Sequence, residues 1–361
     1  MSREERAQIA AQRNGRERRA DLGVYQPNEK GSERPRPSRR PEKRKKPRSK
    51  RTGLKICVFF VAIVLLGSYG IFQYIFKDYK PAENFSKKEL AVSSAAPGGL
   101  QHIAIFGVDT YDGVTGRADS TMILTVDTKH RQIKLTSIQR DSYLPVKGHG
   151  NDKLTHAFAY GGAELMLHTI NTNFDMNVTE YVVLDYKDVA DMVDMVGGLT
   201  IDISEGERRE INRICREMDP DCELLEEAGE VHLDGLQVTA YARIRKIDSE
   251  TQRTARQRHV IGKLVEKLKA KPVTEYPQLL QKLAAVPTCS MTKGELAGLA
   301  MKLVTCDTEI RQYVIPSEED HAKGGSYDGF WCWRYDVDAA AKRWHEFLEQ
   351  KVPSSKEEIS E

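Results

Sequence analysis

The sequence predicts a layered α/β/α domain with a central mixed sheet, preceded by a disordered tail and a single transmembrane helix. Over residues 100–350, short runs rich in β-branched residues alternate with segments whose apolar residues recur at helical spacing. Residues 56–76 contain no charged side chain, and a run of that length spans the bilayer core as one helix. Residues 77–99 are predicted to be a juxtamembrane stem, and residues 351–361 a polar tail.

The tail, residues 1–55, contains 19 Lys or Arg residues against seven acidic ones, with many prolines and few apolar residues. Such a segment cannot bury enough apolar surface to offset the entropy lost on ordering, so we expect it to be disordered. It could be a nucleic-acid arm, but basic residues beside a span are better explained as an orientation signal that contacts anionic lipid. The chain is therefore expected to be a single-pass cell-membrane protein with a cytoplasmic N terminus and an extracellular domain. We therefore do not expect nucleic acid to be a partner.

The net charge is unevenly distributed. The whole chain carries +2, whereas the residues after 55 contain 36 basic and 46 acidic side chains. Residues 243–258 nevertheless contain five arginines, a side chain that binds phosphate through a planar fork and keeps its charge. A basic cluster in acidic surroundings focuses positive potential at one place. It therefore predicts a site for a multiply charged anion rather than general adhesion to polyanions.

The cysteines give little functional information. Cys57 lies in the predicted span and five others follow it, an odd number that leaves at least one thiol free or paired with another chain. Cys215 and Cys222 could form a disulfide across a surface loop. No pair has the spacing of a zinc site, so structural roles are expected. The remaining cysteines are Cys289, Cys306 and Cys332.

The first half of the domain predicts interleaved strands and helices. Short β-branched runs between polar turns indicate strands, and apolar residues three or four positions apart indicate helices. In chain order these are strands at 102–108, 121–127 and 133–138, a helix at 157–172, a strand at 181–184, a helix at 186–195 and a strand at 199–203.

The second half is mostly helical. Residues 204–230 are charged and predict a loop-like insertion with a short helix around 208–218. Helices are then expected at 235–244, 254–269, 275–285 and 292–304, followed by a strand at 310–315, a Gly-rich turn, an aromatic stretch at 330–333 and a last helix at 337–350. One domain of this length can form a single core.

Polar residues at the strand ends are the candidates for chemistry. Asp109 ends the first strand and Asp119 precedes the second, so both could reach one edge of the sheet. Two carboxylates suit Mg²⁺, or Mn²⁺, which completes its shell with water and substrate phosphate. Taken alone, aspartates at these positions more often cap turns. Arg140 and Asp141 follow the third strand, and Lys153 precedes the long helix, whose positive end could also attract phosphate.

Together these residues predict metal-assisted phosphoryl transfer, in which metal and arginine neutralise charge on the transferring group. The sequence has neither a Gly-rich loop with Gly-Lys-Ser/Thr nor a Gly-x-Ser-x-Gly, so a nucleotide phosphate donor and a serine hydrolase are both disfavoured. A membrane-anchored domain facing outward is better suited to a lipid-linked pyrophosphate.

The order of motifs then resembles the LytR-CpsA-Psr proteins of Gram-positive bacteria, over residues 101–350. No single motif is specific, but their joint order is. They are Gly-Val-Asp ending at Asp109, Arg-x-Asp-Ser at 117–120, Ser-Ile-Gln-Arg-Asp-Ser at 137–142, Asp-Lys-Leu-Thr-His-Ala at 152–157, Val-Gly-Gly-Leu at 196–199, Leu-Asp-Gly at 233–235, Tyr-Ala-Arg-Ile-Arg at 241–245 and Arg-Thr-x-Arg-Gln-Arg at 253–258.

The resemblance implies a phosphotransferase that moves a glycopolymer, such as teichoic acid or capsule, from a polyprenyl-pyrophosphate carrier to peptidoglycan, leaving a phosphodiester bond. It implies that Asp109 and Asp119 hold Mg²⁺. It also implies a helix around 157–172 that helps to line a tunnel for the prenyl chain. The residues expected to act in catalysis are Arg140, Asp141, Arg243, Arg245 and Glu250, and those expected to bind pyrophosphate are Arg117, Lys153, Arg253 and Gln257.

Two positions depart from the family pattern. Gln139 stands where proline is common, and Glu250 stands where the family usually has an aspartate three residues before Arg253. Neither departure removes a charge that the mechanism needs.

Two other functions remain open on the sequence alone. The same site could hydrolyse polyprenyl pyrophosphate with water. Alternatively, the protein could be a non-catalytic regulator or attenuator of envelope functions, acting through its basic tail.

Overall fold

The computed structural model describes residues 69–77, 79–109, 116–276, 278–279, 281 and 288–353. The predicted tail, residues 56–68 of the predicted span and most of the polar tail lie outside these ranges, as does much of the predicted helix at 275–285. Within the part of the chain that is described, no helix is long and apolar enough to cross a membrane.

The described residues form strands and helices in an alternating order. The strands are β1 (Gln101–Val108), β2 (Ala118–Asp127), β3 (Gln132–Ile138), β4 (Tyr143–Val146), β5 (Gly150–Lys153), β6 (Glu180–Leu184), β7 (Leu199–Ile203), β8 (Gly229–Leu233), β9 (Thr288–Cys289), β10 (Ile310–Ile315), β11 (Lys323–Tyr327) and β12 (Phe330–Arg334). The helices are α1 (Leu154–Phe174), α2 (Tyr186–Met195), α3 (Glu205–Met218), α4 (Gly235–Ala242), α5 (Glu250–Ala270), α6 (Lys293–Thr305) and α7 (Val337–Glu349).

A six-stranded mixed sheet in the order β10-β3-β2-β1-β6-β9 forms the centre, as the sequence predicts. β1 pairs with β6 and β3 with β10 in parallel, and the other neighbours are antiparallel. Consequently β1, β3 and β6 end at the same edge of the sheet, and β2 begins there. This edge carries the polar residues that the sequence singles out.

Helices cover both faces of the sheet, because alternate strand residues are apolar on each side. On one face, Phe106 packs into a core with α1 and α7. On the other, Met122 and Leu135 pack against α5 and α6. The predicted α/β/α layering is therefore present in the described chain.

A second core lies beside this sheet and is built by α2, α3, α4 and the β7–β8 hairpin, with Val260 of α5. The turn that leads into β7 requires glycine at position 198. The φ of Gly198 is +73°, and a Cβ there would lie 2.7 Å from the carbonyl oxygen of Leu233. Gly235 lets α4 approach α2 so closely that a Cβ would lie 2.2 Å from the carbonyl oxygen of Ala190.

Several elements differ from the sequence prediction. The helix predicted around 208–218 is confirmed as α3, which begins three residues earlier at Glu205, and the loop after it leads into β8, which the sequence did not predict and which pairs with β7. Residues 147–149, between the third predicted strand and the predicted helix at 157–172, form the tight end of the β4–β5 hairpin. The Gly-rich turn and aromatic stretch near the C terminus form the β11–β12 hairpin.

The predicted disulfide between Cys215 and Cys222 is absent, and both residues are free thiols. Cys215 packs into the core beside Ile211 and Ile214 instead of facing a loop, and burial raises the pKa of its thiol. The other three cysteines after the predicted span are also free, namely Cys289, Cys306 and Cys332.

The predicted stem packs against the domain over residues 79–99. The Tyr79 hydroxyl donates to the carbonyl oxygen of Met291, and Leu90 is fully buried in the core beneath α1. The Ser93 amide donates to the carbonyl oxygen of Met176 over 2.9 Å. The chain therefore enters the domain along a defined route.

Replacing Trp344 of α7 by Ala should lower the free energy of unfolding by about 3–5 kcal/mol, because the change leaves a large cavity. Trp344 is fully buried, its indole Nε1 donates to Thr136 Oγ1 over 2.8 Å, and its ring lies 5.7 Å from that of Phe174. Glu346→Ala, at an exposed position of the same helix, is the control and should change stability by less than about 0.5 kcal/mol. Urea unfolding measures both, and equal costs would contradict this packing.

Candidate active site

Asp119 is the centre of the site. It stands at the start of β2, directly after an irregularity in the β1–β2 pairing at Gly107/Val108. Its Oδ1 accepts from Arg140 Nη1 over 2.5 Å and its Oδ2 from Arg245 Nη2 over 2.6 Å. Arg253 Nη2 donates to its backbone carbonyl over 2.9 Å. Three arginines from distant segments therefore meet at one aspartate.

These contacts fix the charge of Asp119. Burial opposes its ionisation, but the guanidinium groups of Arg140, Arg253 and Arg245 together outweigh burial, so the pKa of Asp119 lies below its usual value. Asp119 is therefore a carboxylate at neutral pH and is unsuited to be a general acid.

Arg253 is almost fully buried in the first turn of α5, with 2% of its surface exposed. Burial lowers its pKa and Glu250 partly restores it, but the group remains a cation at neutral pH. Glu250 Oε1 is bonded to Arg253 Nη2 and lies 3.1 Å from Arg140 Nε. Glu250 therefore links two of the three arginines on Asp119.

The five arginines between 243 and 258 do not act as one cluster. Arg243, Arg245 and Arg253 line a polar cavity. Arg256 bonds Asp248 and donates to Glu207 Oε1 over 2.8 Å, which ties the segment before α5 to α3. Arg258 Nε donates to Gln312 Oε1 over 2.9 Å beneath α5. Part of the run is therefore structural.

Arg243 lies over an aromatic ring. Its guanidinium carbon is 4.3 Å from the centre of the Tyr186 ring, and burial raises the pKa of the Tyr186 hydroxyl. Tyr186 begins α2 directly after β6, at the sheet edge that also carries Asp109. The sequence analysis missed Tyr186, although its position after a strand end was the signal that could have found it.

Asp141 and Lys153 form a second ion pair next to the first group. Asp141 Oδ1 lies 2.9 Å from Lys153 Nζ, and Asp141 Oδ2 lies 3.6 Å from Arg140 Nε. The amide of Thr155 donates to the carbonyl oxygen of Arg140 over 3.0 Å, so the start of α1 holds this segment. Asp141 is thereby placed beside the arginine group, and within the described part of the chain its Oδ2 has no closer partner than Arg140 Nε.

The polar cavity has a volume of about 510 Å³. Asp109 lines it together with Asp119, and Asp109 Oδ1 also accepts from the backbone amide of Arg117 over 3.1 Å. The side chain of Arg117 is exposed, and neither it nor Lys153 lines this cavity. The sequence offered no signal for four further lining residues, Arg213, Ile214, Glu217 and Lys246.

An apolar cavity of about 110 Å³ adjoins the polar one, and the two share Asp119, Tyr186, Ala242 and Gln257. Its other walls are mostly aliphatic and come from the sheet, α2 and α5. They include Ile105, Val189, Met192, Val260, Ile261 and Leu264.

A larger apolar groove of about 520 Å³ continues from there. It shares Ile105, Leu184 and Met192 with the smaller cavity and extends to residues 71–76 and to α6. The helix around 157–172, predicted to help line a tunnel for the prenyl chain, lines neither of these two apolar spaces: it is α1, which packs with α7 on the opposite face of the sheet. The apolar periodicity of α1 reflects its place in the core.

The described residues contain no group of three or more His, Cys, Asp or Glu side chains placed to hold a metal ion. Asp109 and Asp119 line one cavity as a pair. Such a pair fits a cation like Mg²⁺, which takes one or two protein carboxylates and obtains its other ligands from water and phosphate. It does not fit a metal held by protein ligands alone.

Comparison with known proteins places the chain among relatives of similar length. It is 27% identical over 282 residues to the polyisoprenyl-teichoic acid–peptidoglycan teichoic acid transferase TagU of Enterococcus faecalis, covering 75% of this chain and 88% of that protein. It is 28% identical over 247 residues to the corresponding transferase TagT of Bacillus subtilis, covering 64% and 75%.

The fold agrees with solved structures. A LytR-CPS2A-psr family protein, YwtF (TagT), with bound octaprenyl pyrophosphate lipid, aligns with a TM-score of 0.55 at 20% identity, over 75% of this chain and 97% of that one. The model of the LytR_cpsA_psr family matches residues 69–347, which include every residue of the site described above. The chain is therefore a member of the LytR-CpsA-Psr family.

Proposed function

We propose that this protein transfers a glycopolymer from a polyprenyl-pyrophosphate carrier to peptidoglycan, with formation of a phosphodiester bond. Relatives at 27–28% identity carry the name of such a transferase, with teichoic acid as the polymer. The observation that carries the proposal in this chain is the junction of two cavities of opposite character at Asp119 and Gln257.

That junction matches the chemistry of the donor. A polyprenyl pyrophosphate joins a doubly charged head directly to a long hydrocarbon chain. The polar cavity offers guanidinium groups to the head, and the adjoining apolar spaces offer aliphatic walls to the chain. A nucleotide or a free sugar phosphate has no hydrocarbon chain that would fill the apolar cavity and groove. A solved relative with octaprenyl pyrophosphate bound supports the same assignment.

The arginines supply the electrostatic part of the reaction. Arg243, Arg245 and Arg253 line the cavity, and Arg140 is held against Asp119 at its edge. In the proposed reaction an acceptor hydroxyl oxygen bonds to the phosphorus that carries the polymer. The bond from that phosphorus to the bridging oxygen breaks, and polyprenyl phosphate leaves. The arginines neutralise the negative charge that develops on the departing phosphate.

Asp109 and Asp119 are the residues that would hold Mg²⁺. The bound cation would supply charge neutralisation and orientation for the phosphates. The arginines on Asp119 hold its carboxylate ionised, which is the form a metal requires.

Asp141 is proposed to take the proton from the acceptor hydroxyl. Among the residues that the structure describes, its Oδ2 has no hydrogen-bond or ion-pair partner closer than Arg140 Nε at 3.6 Å. Glu250 is less suited to this step, because Arg253 and Arg140 both engage its Oε1. We therefore assign Glu250 to positioning the arginines, and Lys153 to holding Asp141 through their 2.9 Å ion pair.

The catalytic domain is proposed to lie on the outer face of the cell membrane. The groove reaches residues 71–76, the last residues of the predicted span, and large apolar side chains beside it are exposed, among them Ile71 and Tyr74 and, on α6, Met301 and Val304. An ordinary surface helix carries polar residues at such positions. A prenyl chain could enter the groove directly from lipid there.

Arg245→Ala should lower kcat/KM for polymer transfer by about a hundredfold or more, because it removes a cation from the developing charge. Asp119→Ala should have a similar effect, because it leaves Arg140, Arg245 and Arg253 without their shared partner. Transfer from labelled lipid-linked polymer to peptidoglycan measures both.

Arg216→Ala is the control, since this exposed arginine lies on α3 outside the cavity. Full activity of the Arg245 variant would contradict the assignment. Phosphate release that ignores added peptidoglycan would favour hydrolysis over transfer.

Filling the apolar cavity should discriminate between donors by chain length. Val189→Phe places a larger side chain into the 110 Å³ space, so KM for a long-chain polyprenyl donor should rise at least about tenfold. A donor with a single short prenyl unit should be affected little. Lys187→Phe, at an exposed position of the same helix, is the control. An equal change in KM for both donors would place the hydrocarbon chain elsewhere.

Removal of divalent metal with a chelator should stop transfer, and added Mg²⁺ or Mn²⁺ should restore it. Asp109→Asn should raise the Mg²⁺ concentration needed for half-maximal rate by about tenfold, because one of the two carboxylates is lost. Asp202→Asn, an exposed change on β7, should leave it unchanged. Undiminished transfer in chelator would refute the metal assignment.

A further inference from the structure

A row of aromatic rings lies beside Asp141 and takes no part in the reaction described above. His149 stacks on Tyr160 with ring centres 4.0 Å apart and planes 8° from parallel. Tyr160 lies 6.1 Å from His156, which lies 5.6 Å from Phe330. We refer to His149, Tyr160, His156 and Phe330 as the aromatic row.

The row is open to solvent and held in place. Tyr160 is 47% exposed and Phe330 41% exposed. Beneath them the buried Asp152 accepts from the Tyr160 hydroxyl over 2.7 Å through Oδ2, and bonds His156 Nδ1 over 2.8 Å through Oδ1. Large rings that are both exposed and fixed are typical of a binding surface. Holding them in place costs conformational entropy, and contact with water does not offset that cost.

Two of the three elements that carry the row, α1 and β12, are bonded to the backbone of the catalytic segment. At the start of α1, the Leu154 amide donates to the Ser142 carbonyl oxygen over 2.9 Å. On β12, the Trp333 amide donates to the Asp141 carbonyl oxygen over 2.9 Å. A molecule docked on the row would therefore have a fixed distance to the Asp141 carboxylate.

The chemistry of the row favours a neutral glycan over the donor. Its rings offer flat faces against which the C–H faces of sugar rings stack. Asp152, the carboxylate beneath it, has its oxygens occupied by hydrogen bonds. Arg117 is the cation that acts on Tyr160, whereas the carboxylate of Asp152 contacts both Tyr160 and His156, so the row offers a phosphate-rich polymer or a pyrophosphate little net positive charge. The prenyl chain is expected on the other face of the sheet, where α5 and α6 line the apolar spaces.

We propose that the aromatic row is the docking surface for the glycan strand of the peptidoglycan acceptor, positioned so that one sugar hydroxyl reaches Asp141. This inference rests on the proposed transferase function for the identity of the glycan. The row itself is a surface independent of the donor cavity, so it can be tested separately.

The test uses the full-length protein in detergent micelles and a soluble peptidoglycan tetrasaccharide without attached polymer. Tyr160→Ala and Phe330→Ala should each weaken binding by roughly three- to tenfold, because each removes one stacking face. In transfer assays the same variants should raise KM for the acceptor with little change in kcat or in KM for the lipid donor. Calorimetry and steady-state rates give these values.

Two further variants separate stacking from a structural effect. Tyr160→Phe keeps the ring and should keep most of the affinity. Trp331→Ala removes a ring of equal exposure, 47%, from the opposite face of the same hairpin and should not change binding. Thermal unfolding checks that every variant is folded.

Unchanged glycan affinity in both row variants overturns the inference and leaves the transferase proposal intact. Weakened glycan affinity in a protein that shows no transfer would keep the row as a glycan site and reject the transferase function. Loss of affinity in Trp331→Ala as large as in Phe330→Ala would also overturn it.

Discussion

The site depends on the convergence of three guanidinium groups on the carboxylate of Asp119. Arg253 is buried too deeply to be solvated by water, and Arg140 and Asp119 are largely buried as well. Removing one member of such a group leaves the others with uncompensated charge, which is far more costly than losing an exposed ion pair. The strand, the turn after β3 and the start of α5 are therefore fixed relative to one another by charge.

The polar cavity beside this group carries an excess of positive charge. Its lining contributes five positive charges, from Arg213, Arg243, Arg245, Lys246 and Arg253, and three negative ones, from Asp109, Asp119 and Glu217. The two remaining charges are matched by an anion such as a pyrophosphate. Topology explains why they meet: β1, β3 and β6 end at one edge of the sheet, where β2 begins. Loops at that edge converge on one place.

Many of the strands and helices can be predicted from the sequence, because their apolar residues follow a clear local periodicity. The bounds of α2, β7 and β10 agree with their apolar periodicity to the residue. The short hairpins were missed because β4 and β5 have four residues each, with Gly and charged side chains that carry no apolar alternation. Their pairing is set by tertiary contacts, above all by the segment that holds Arg140 and Asp141.

The sequence also did not predict which of the five arginines between 243 and 258 line the cavity and which have a structural role. On a helix, Arg258 points about 140° away from Arg253, so the two cannot share one ligand. Arg256 is only about 60° from Arg253, and periodicity alone would leave it in the site. Arg256 does not face the site because its guanidinium is bound by two carboxylates, those of Asp248 and Glu207. Glu207 lies 49 residues earlier in the chain. Only the folded structure brings that partner close.

Glu250, the clearest departure from the family pattern, has a physical explanation in these contacts. Arg256 and Asp248 hold the short segment before α5, and the helix begins at residue 250 because the Ser249 hydroxyl caps it by accepting from the Gln252 amide. The Glu250 carboxylate then lies in the first helical turn, where the helix dipole favours a negative charge. Glu is one methylene longer than Asp, and here its Oε1 is close enough to contact both Arg253 and Arg140. The longer side chain therefore contacts two of the three arginines that meet at Asp119, which supports the positioning role proposed for Glu250.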